Sequence, residues 1–377
     1  MSTLNDAKFT LIPSGYKSTK VYSVKPTNGD GDFTFSRNGD ASRLNPGLNI
    51  EQVSANVPRI NHYSGGCPSL LLENEAQNLI TYSEDFSQWT TNDNAVVIDN
   101  NAISPDGNLN ASLFTFDGTT NGRVEISTTV TNGSTLIYSI YLKNNNLSDT
   151  SQVWIGLDTT SQGEYVTITN EWQRFTTTQT ANSSTELPMV KTDETGSIYA
   201  WGAQLEINNL TSYIKSNTGS PTTRQKDQCY DAGNSDLFNI TEGSYFIDIK
   251  PFSNSSFYNI SLSDGSANNR ISWQFQNNNT QVRVRIVSGS TPVMNEPESV
   301  NFGSRNKLCL TFKDNEFKTY INGSLVNTQT SGNIPTSLDR LSFAVYNTTG
   351  NFFEGEVYSV KIYDYLLTET QAIELTT

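Results

Sequence analysis

Acidic side chains are the first place to look for chemistry in this chain of 377 residues, which carries 38 Asp and Glu against 24 Lys and Arg. Glu354 with Glu356, and Glu296 with Glu298, stand two residues apart. On a strand that spacing puts both members on one face. Glycosidic hydrolysis needs two carboxylates roughly 5–10 Å apart across a cleft. Pro297 sits between Glu296 and Glu298 and points to a loop or an edge strand. Neither pair extends into a Glu-x-Asp-x-x-Glu pattern, and a solvated edge or loop is the plainer reading of both. His62 is the single histidine, and "RINHYSGG" around it has no nucleophile elbow, so a structural turn role is expected. One His and three scattered Cys (Cys67, Cys229, Cys309) offer neither zinc spacing nor a disulfide framework. Gly loops of the phosphate-cradling patterns are absent from the sequence. The expectation is that the protein is not an enzyme.

Binding chemistry is the alternative. Asn28, Asp30 and Asp32 place oxygen atoms at i, i+2 and i+4, as at the start of a calcium loop. A bidentate Glu at the twelfth position is missing, and a Gly/Asp turn is the plainer reading. Aromatic faces can stack on sugar rings while polar neighbours bond the hydroxyls. Trp154 shares the polar face of "VWIGLDTT" with Asp158, and Tyr165 and Arg123 are expected on the same wet face. This set is the best ligand platform in the chain. An oligomer contact or an ordinary exposed aromatic is its plainer reading. Arg283, Arg285 and Tyr346 form a weaker equivalent set. Trp201, in step with Tyr199, Ala203 and Leu205, is expected in a core, as is Trp273 beside Ile271 and Phe275. Trp172 is expected to plug a sandwich end.

These residues must be held by strands. Apolar residues make up 35% of the chain, charged residues 16% and aromatics 11%. Asn, Ser and Thr fill the remainder, which fits many short strands joined by polar turns. Residues 1–78 are rich in turn formers and read as an attachment segment without a large core of its own. From 79 to 215 period-2 alternation is regular: Val124 with Ile126, Leu136 with Tyr138, Ile140 and Leu142, and Val153 with Ile155 and Leu157. That pattern predicts antiparallel sheets with one wet face. Residues 216–235 have no period and read as a linker. Alternation restarts from 236 to 377, with a turn at "NNNT" and hairpin signals at Asp314-Asn315 and Asn322-Gly323. Thr368 with Gln371 makes a capping-box pattern and Leu367 with Ala372 a staple, predicting one short C-terminal helix. The fold class is all-β: an N-terminal attachment segment, then two antiparallel β-sandwich (jelly-roll) domains and that helix.

The net charge of −14 argues against nucleic-acid binding, which needs a basic patch. The longest apolar runs are too short for a membrane span, and the N-terminus shows no signal-peptide pattern.

Residues 31–89, "GDFTFSRNGDASRLNPGLNIEQVSANVPRINHYSGGCPSLLLENEAQNLITYSEDFSQW", resemble the N-terminal segment of bacteriophage fibre and virion-surface proteins. The pattern there is an Asp-Phe-Thr-Phe-Ser-Arg start, Asn-x-Pro-Arg, Gly-Cys-Pro-Ser-Leu-Leu, Asn-Leu and Tyr-Ser-Glu-Asp-Phe-Ser. Such proteins often carry a Pro-Gln/Ala-Arg/Thr stretch where this chain has "LLENEAQNLI". Residues 79–215 resemble a carbohydrate-binding-module jelly roll through "YSIYLK", "EWQRFTTT" and "IYAWGAQLEI" followed by "TSYI". Modules of that type often hold calcium with acidic residues in the first and last strands; here the last strand presents Trp201-Gly202. Residues 236–377 resemble a laminin-G/concanavalin-type sandwich through "FKTYINGSLV" and "FFEGEVYSVKIYDYLLTETQAIEL", and the loop calcium of such domains suggests Asp264. The resemblance implies a virion protein, a fibre or surface decoration made in the host cytoplasm and displayed on the virion surface. It implies non-catalytic binding of host or environmental glycans, contacts with other virion proteins through residues 1–78, and a homo-oligomer, most simply a trimer. No cofactor is expected; calcium through Asp30, Asp32 and Asp264 stays open.

Overall fold

The computed structural model describes residues 6–147, 151–252, 257–276, 278, 280–346 and 350–377. The turn expected at "NNNT" includes Asn277 and Asn279, which lie outside the described residues. Among the described residues strands dominate, and the α-helices are Ser235–Phe238 and Glu369–Thr376. The all-β expectation holds.

The central part is a sandwich of two five-stranded antiparallel sheets. One runs Thr90–Asn92, Gly122–Glu125, Met189–Thr192, Gln152–Gly156, Gly163–Thr167; the other Val96–Ile103, Leu109–Asp117, Thr195–Ile207, Thr135–Asn144, Gln173–Thr180. The alternating residues meet between them: Val124, Leu136, Tyr138, Ile140, Val153 and Ile155 are all fully buried in one cluster. Trp201 is buried in a core as expected, but not in the one that Ala203 and Leu205 enter. A register shift opposite Tyr141, with Gly202 at φ 65°, lets Ala200 and Ala203 both face that core. Trp201 is turned to the other side, buried against Ile50, Ala111 and Tyr213. A Cβ on Gly202 would meet the rings of Tyr141 at 3.1 Å and Tyr213 at 3.3 Å, so the bulge needs glycine. Trp172 lies partly buried against this same cluster, its indole N–H donating to the Ile103 carbonyl (3.0 Å).

The C-terminal sandwich pairs a five-stranded sheet with an eight-stranded one. The first runs Thr291–Ser299, Gln281–Ser288, Arg270–Phe275, Tyr258–Ser263, Arg340–Ser342. Pro297 is in its edge strand, where a missing N–H is tolerated. Trp273 with Ile271 and Phe275 fills the core as expected. Both hairpin signals form turns: Asn315 (φ 60°), Asn322 (φ 48°) and Gly323 (φ 81°) are left-handed. The terminal helix has its complete capping box on Thr368 and Gln371, with Leu367 and Ala372 buried beneath it.

Residues 6–78 do not stand apart. Phe9–Leu11 and Ser69–Leu72 both pair with the strand Gly355–Tyr363, near opposite ends of the same edge, and Arg59–Asn61 extends the sheet. Phe9, Leu11, Phe33, Phe35, Ile60, Leu70 and Leu72 enter the C-terminal core. Residues 216–235 are likewise built in. Thr222–Arg224 pairs with Ala76–Asn78, and Gln228–Tyr230 pairs with Phe33–Ser36. A stretch rich in turn formers lacks alternation because its strands are only three residues long.

A buried ion cluster joins these pieces. Asp227 accepts from Arg37 (3.1 Å) and from Arg59. Arg59 also reaches Glu73 (2.6 Å), and Arg224 lies 3.6 Å from it. The Ser212 N–H (2.8 Å) and hydroxyl (2.7 Å) donate to Glu73 from the end of the central sandwich. Burial alone would raise the Glu73 pKa; Arg224, Arg59 and the Ser212 donors outweigh it and bring it down to about 2. Removing one member of such a cluster leaves its partners charged and desolvated. Arg59→Ala is expected to lower the unfolding free energy by about 3–5 kcal/mol, measured as a fall in the denaturant midpoint at neutral pH. A change below about 1 kcal/mol, typical of exposed ion pairs, would contradict this role.

Candidate functional site

The expected platform on the central sandwich is assembled but closed. Register places Tyr165, Trp154, Lys191 and Arg123 side by side across one sheet. Trp154 is only 8% exposed. Its indole lies over the paired glycines Gly156 and Gly163, where a Cβ would fall 2.6–2.7 Å from the ring. The indole N–H donates to the Asp158 carbonyl (2.7 Å), Tyr165 packs edge-on at 5.3 Å, and Lys191 Nζ sits 5.6 Å from the ring centroid. Arg123 is held by Asp93 and Glu125. The Asp158 carboxylate accepts from the N–H groups of Thr160, Ser161 and Gln162. Burial opposes ionisation, but these bonds prevail and bring its pKa to about 2. Asp158 therefore organises a turn. Tyr165, 53% exposed, is the one open aromatic of the set. The open stacking face expected at Trp154 is thus corrected: glycines at two opposed positions let the ring sink onto the backbone.

The calcium candidates are also occupied by their own turns. Asp32 accepts from the Ser23 N–H (3.0 Å) and Asp30 from Asn28 (2.7 Å). Asp264 accepts from the Ser266 N–H and hydroxyl and from Asn269. Among the described residues no three His, Cys, Asp or Glu side chains form a metal-holding group.

The solvated reading of Glu354 and Glu356 is overturned, for both are buried. Glu356 accepts from the Tyr63 hydroxyl (2.7 Å) and from Tyr358. Glu354 accepts from Asn74 (2.9 Å) at a cleft of about 350 Å³ that Glu206, Thr211 and Thr223 also line. Burial and the Glu73 carboxylate push Glu354 up to about 7, against Arg224 and Asn74. Burial likewise raises Glu206, against the donors on Thr211 and Gln204. Glu296 is exposed on the edge strand, Glu298 half-buried there. His62 lies half-buried just past the strand Arg59–Asn61.

The second set is drawn together on the outer face of the five-stranded C-terminal sheet. Ile271, Trp273 and Phe275 point inward, so Arg270, Ser272 and Gln274 point outward. Cross-strand rows on that face are Asn259–Gln274–Arg283, Ser261–Ser272–Arg285 and Ser263–Arg270. The chain after Arg340–Ser342 folds over one side. Ser261 donates to the Ala344 carbonyl (2.8 Å) and Ser263 to that of Tyr346 (3.3 Å), while the Arg270 guanidinium lies 4.7 Å from the Tyr346 ring centroid. The result is a polar shelf open along Arg283 and Arg285, which are half-buried. Asn259 is 1% exposed and neither amide atom has a partner; Nε of Arg270, 6% exposed, and Nε of Arg285 have none either. Burial, then the adjacent Arg285 charge, lowers the Arg270 pKa. Buried unpaired polar atoms cost about 1–3 kcal/mol each, so a polar ligand here would recover interactions the fold forgoes. Sequence reasoning missed Arg270, Asn259 and Gln274, although the alternation around Trp273 already assigned Arg270 and Gln274 to the outer face.

Two outcomes follow from these geometries. Trp154→Ala is expected to lower stability by about 3–5 kcal/mol, read as a fall in the denaturant midpoint. For Glu354 the folded state holds its proton more tightly than the unfolded chain, whose ordinary value is 4.5. Its contribution to stability is therefore complete below 4.5 and lost as pH rises through about 7. Glu354→Gln keeps an acceptor for Asn74. It should exceed the parent by ~1–3 kcal/mol at about pH 8 and match it in acid, as pH-resolved denaturation would show.

Residues 225–372 match the family model Laminin_G_3, described as the concanavalin A-like lectin/glucanases superfamily. No curated protein matches the chain. Among solved structures, the chain is similar to the CBM40 of the Ruminococcus gnavus IT-sialidase bound to α2,3 sialyllactose. The identity is 16% and the TM-score 0.34, over 39% of this chain and 94% of that one. It is also similar to domain 4 of AbnA, a GH43 extracellular arabinanase from Geobacillus stearothermophilus, in complex with arabinotriose. There the identity is 16% and the TM-score 0.33, over 40% and 73% of the two chains. The family match falls on the C-terminal sandwich.

Proposed function

We propose that this protein is a non-catalytic glycan-binding component of a bacteriophage particle, a fibre or surface decoration that presents its C-terminal shelf to cell-surface or environmental sugars. The observation that carries the binding reading is the row of polar side chains around Arg270 and Arg285, with buried unpartnered atoms, on a domain matched to a lectin/glucanase superfamily. The virion reading is supported by the ordered motifs in residues 31–89. Contacts with other virion proteins would use the surface that residues 1–78 leave outward, since several of their strands are already paired within the chain. Self-association, as a trimer, and a place on the virion surface belong to the same proposal.

A second reading has one observation in its favour. Glu354 and Glu206 line one cleft, both with raised pKa values, which is what a depolymerase acid requires. Glu206 is tied to Thr211 and Gln204 by three hydrogen bonds, which suits a structural part better.

A glycan array probed with the purified chain, followed by assay of reducing ends on any glycan bound, separates these readings. Binding without release of reducing ends is expected, with Arg270→Ala and Arg285→Ala lowering it about tenfold or more. A blank array would favour an architectural component, and turnover abolished by Glu354→Gln would establish the enzyme. Peptides of this chain are expected in purified particles by mass spectrometry.

A further inference from the structure

The glycan reading leaves open what kind of sugar the shelf takes, and the charges on it bear on that question. In a chain of net charge −14, arginines generally have carboxylates at hand: Arg37, Arg59, Arg123, Arg224, Arg305 and Arg340 all sit in ion pairs. Among the described residues Arg174, Arg270, Arg283 and Arg285 have no ion pair, and the last three share one face. Arg270, Arg283 and Arg285 come from two adjacent strands, and register places Arg285 diagonally next to Arg270 and two residues along from Arg283. The cross-strand rows on this face hold serine, asparagine and glutamine and no acid. Like charges held close together without a counter-charge raise the energy of the free protein, and an anion bound between them lowers it.

Resting on the proposal that this face binds glycans, we infer that its ligand is an acidic sugar whose carboxylate is taken between Arg270 and Arg285. A guanidinium matches a carboxylate with two parallel N–H···O bonds, and Nε is one of the donors in that fork. The Nε atoms of both arginines are buried and unpartnered. Asn259 and Gln274 lie beside them with neutral donors and acceptors suited to hydroxyl or acetamido groups. The Tyr346 ring, half-buried over Arg270, offers an apolar wall for the C–H face of the ring. Arg283 donates to the Asn295 carbonyl (3.3 Å) and adds positive potential at the open side.

A carboxylate of this kind occurs on uronic acids and on sialic acids, and one experiment covers both. The full chain is titrated calorimetrically with trigalacturonate and with 3′-sialyllactose, beside methyl-esterified trigalacturonate and lactose as their neutral counterparts. A neutral-glycan array is run in parallel. At least one acidic probe is expected to bind about tenfold or more tightly than its counterpart, with the preference falling as salt is added. Arg285→Ala and Arg285→Gln should erase the preference while leaving the melting transition in place. Arg285→Lys, which keeps the charge without the fork, should restore part of it. Which acid binds identifies the source. Equal binding of acid and neutral forms, a preference that survives both substitutions, or binding to neutral glycans alone would overturn the acidic ligand and leave glycan binding intact. A chain that binds no acidic probe and no array sugar would overturn glycan binding as well.

Discussion

Three arginines and two carboxylates buried together decide how this chain is put together. Arg37, Arg59 and Glu73 come from the leading segment, Arg224 and Asp227 from the stretch between the sandwiches, and Ser212 from the end of the central one. None of these charges tolerates desolvation alone. Each satisfies the others only when all the pieces are docked in one arrangement. Hydrophobic burial would hold the same pieces with latitude in angle and register; the Arg59 guanidinium, held by Glu73 on one Nη and Asp227 on the other, does not. The cluster therefore acts as a geometric key, and the sheets on either side take their relative positions from it.

From that key the candidate site gains a rigid base. The five-stranded sheet that carries Arg270 and Arg285 packs through Ile271, Trp273 and Phe275 on the eight-stranded sheet, whose edge is finished by Phe9–Leu11, Ser69–Leu72 and Arg59–Asn61. Side chains standing on a sheet so backed keep their spacing. This is what lets two like-charged guanidinium groups stay near each other and await a counter-charge. The central sandwich behaves differently. Its best aromatic is folded down and bonded in, and its acidic turn residue is consumed by backbone N–H groups.

Much of this was legible in the sequence where side chains obey period 2. The inward faces of Val124, Ile140, Val153 and Trp273 follow from alternation alone, and the capped terminal helix follows from Thr368 and Gln371. Legibility failed wherever a local backbone device changed the count or the cover. A bulge at Gly202 reversed the face of Trp201. Opposed glycines, Gly156 and Gly163, are close to Trp154 in sequence, but only the cross-strand register shows that they form a bed for its ring. Glu354 and Glu356 lie beside Asn74 and Tyr63, residues far away in sequence, so their burial has no local trace. The stretch 216–235 lacks alternation because strands of three residues are too short to display it, although they pair as firmly as longer ones.

The chain's first strand, Phe9–Leu11, lies against its last, Gly355–Tyr363. A ribosome delivers Phe9–Leu11 well before its partner strand. Phe9, Leu11, Leu70 and Leu72 therefore wait unsheltered until Gly355–Tyr363 has been made, while the central sandwich, whose strands end at residue 207, is free to fold in the interval. Without Gly355–Tyr363 the strands Phe9–Leu11 and Ser69–Leu72 have no edge to pair with.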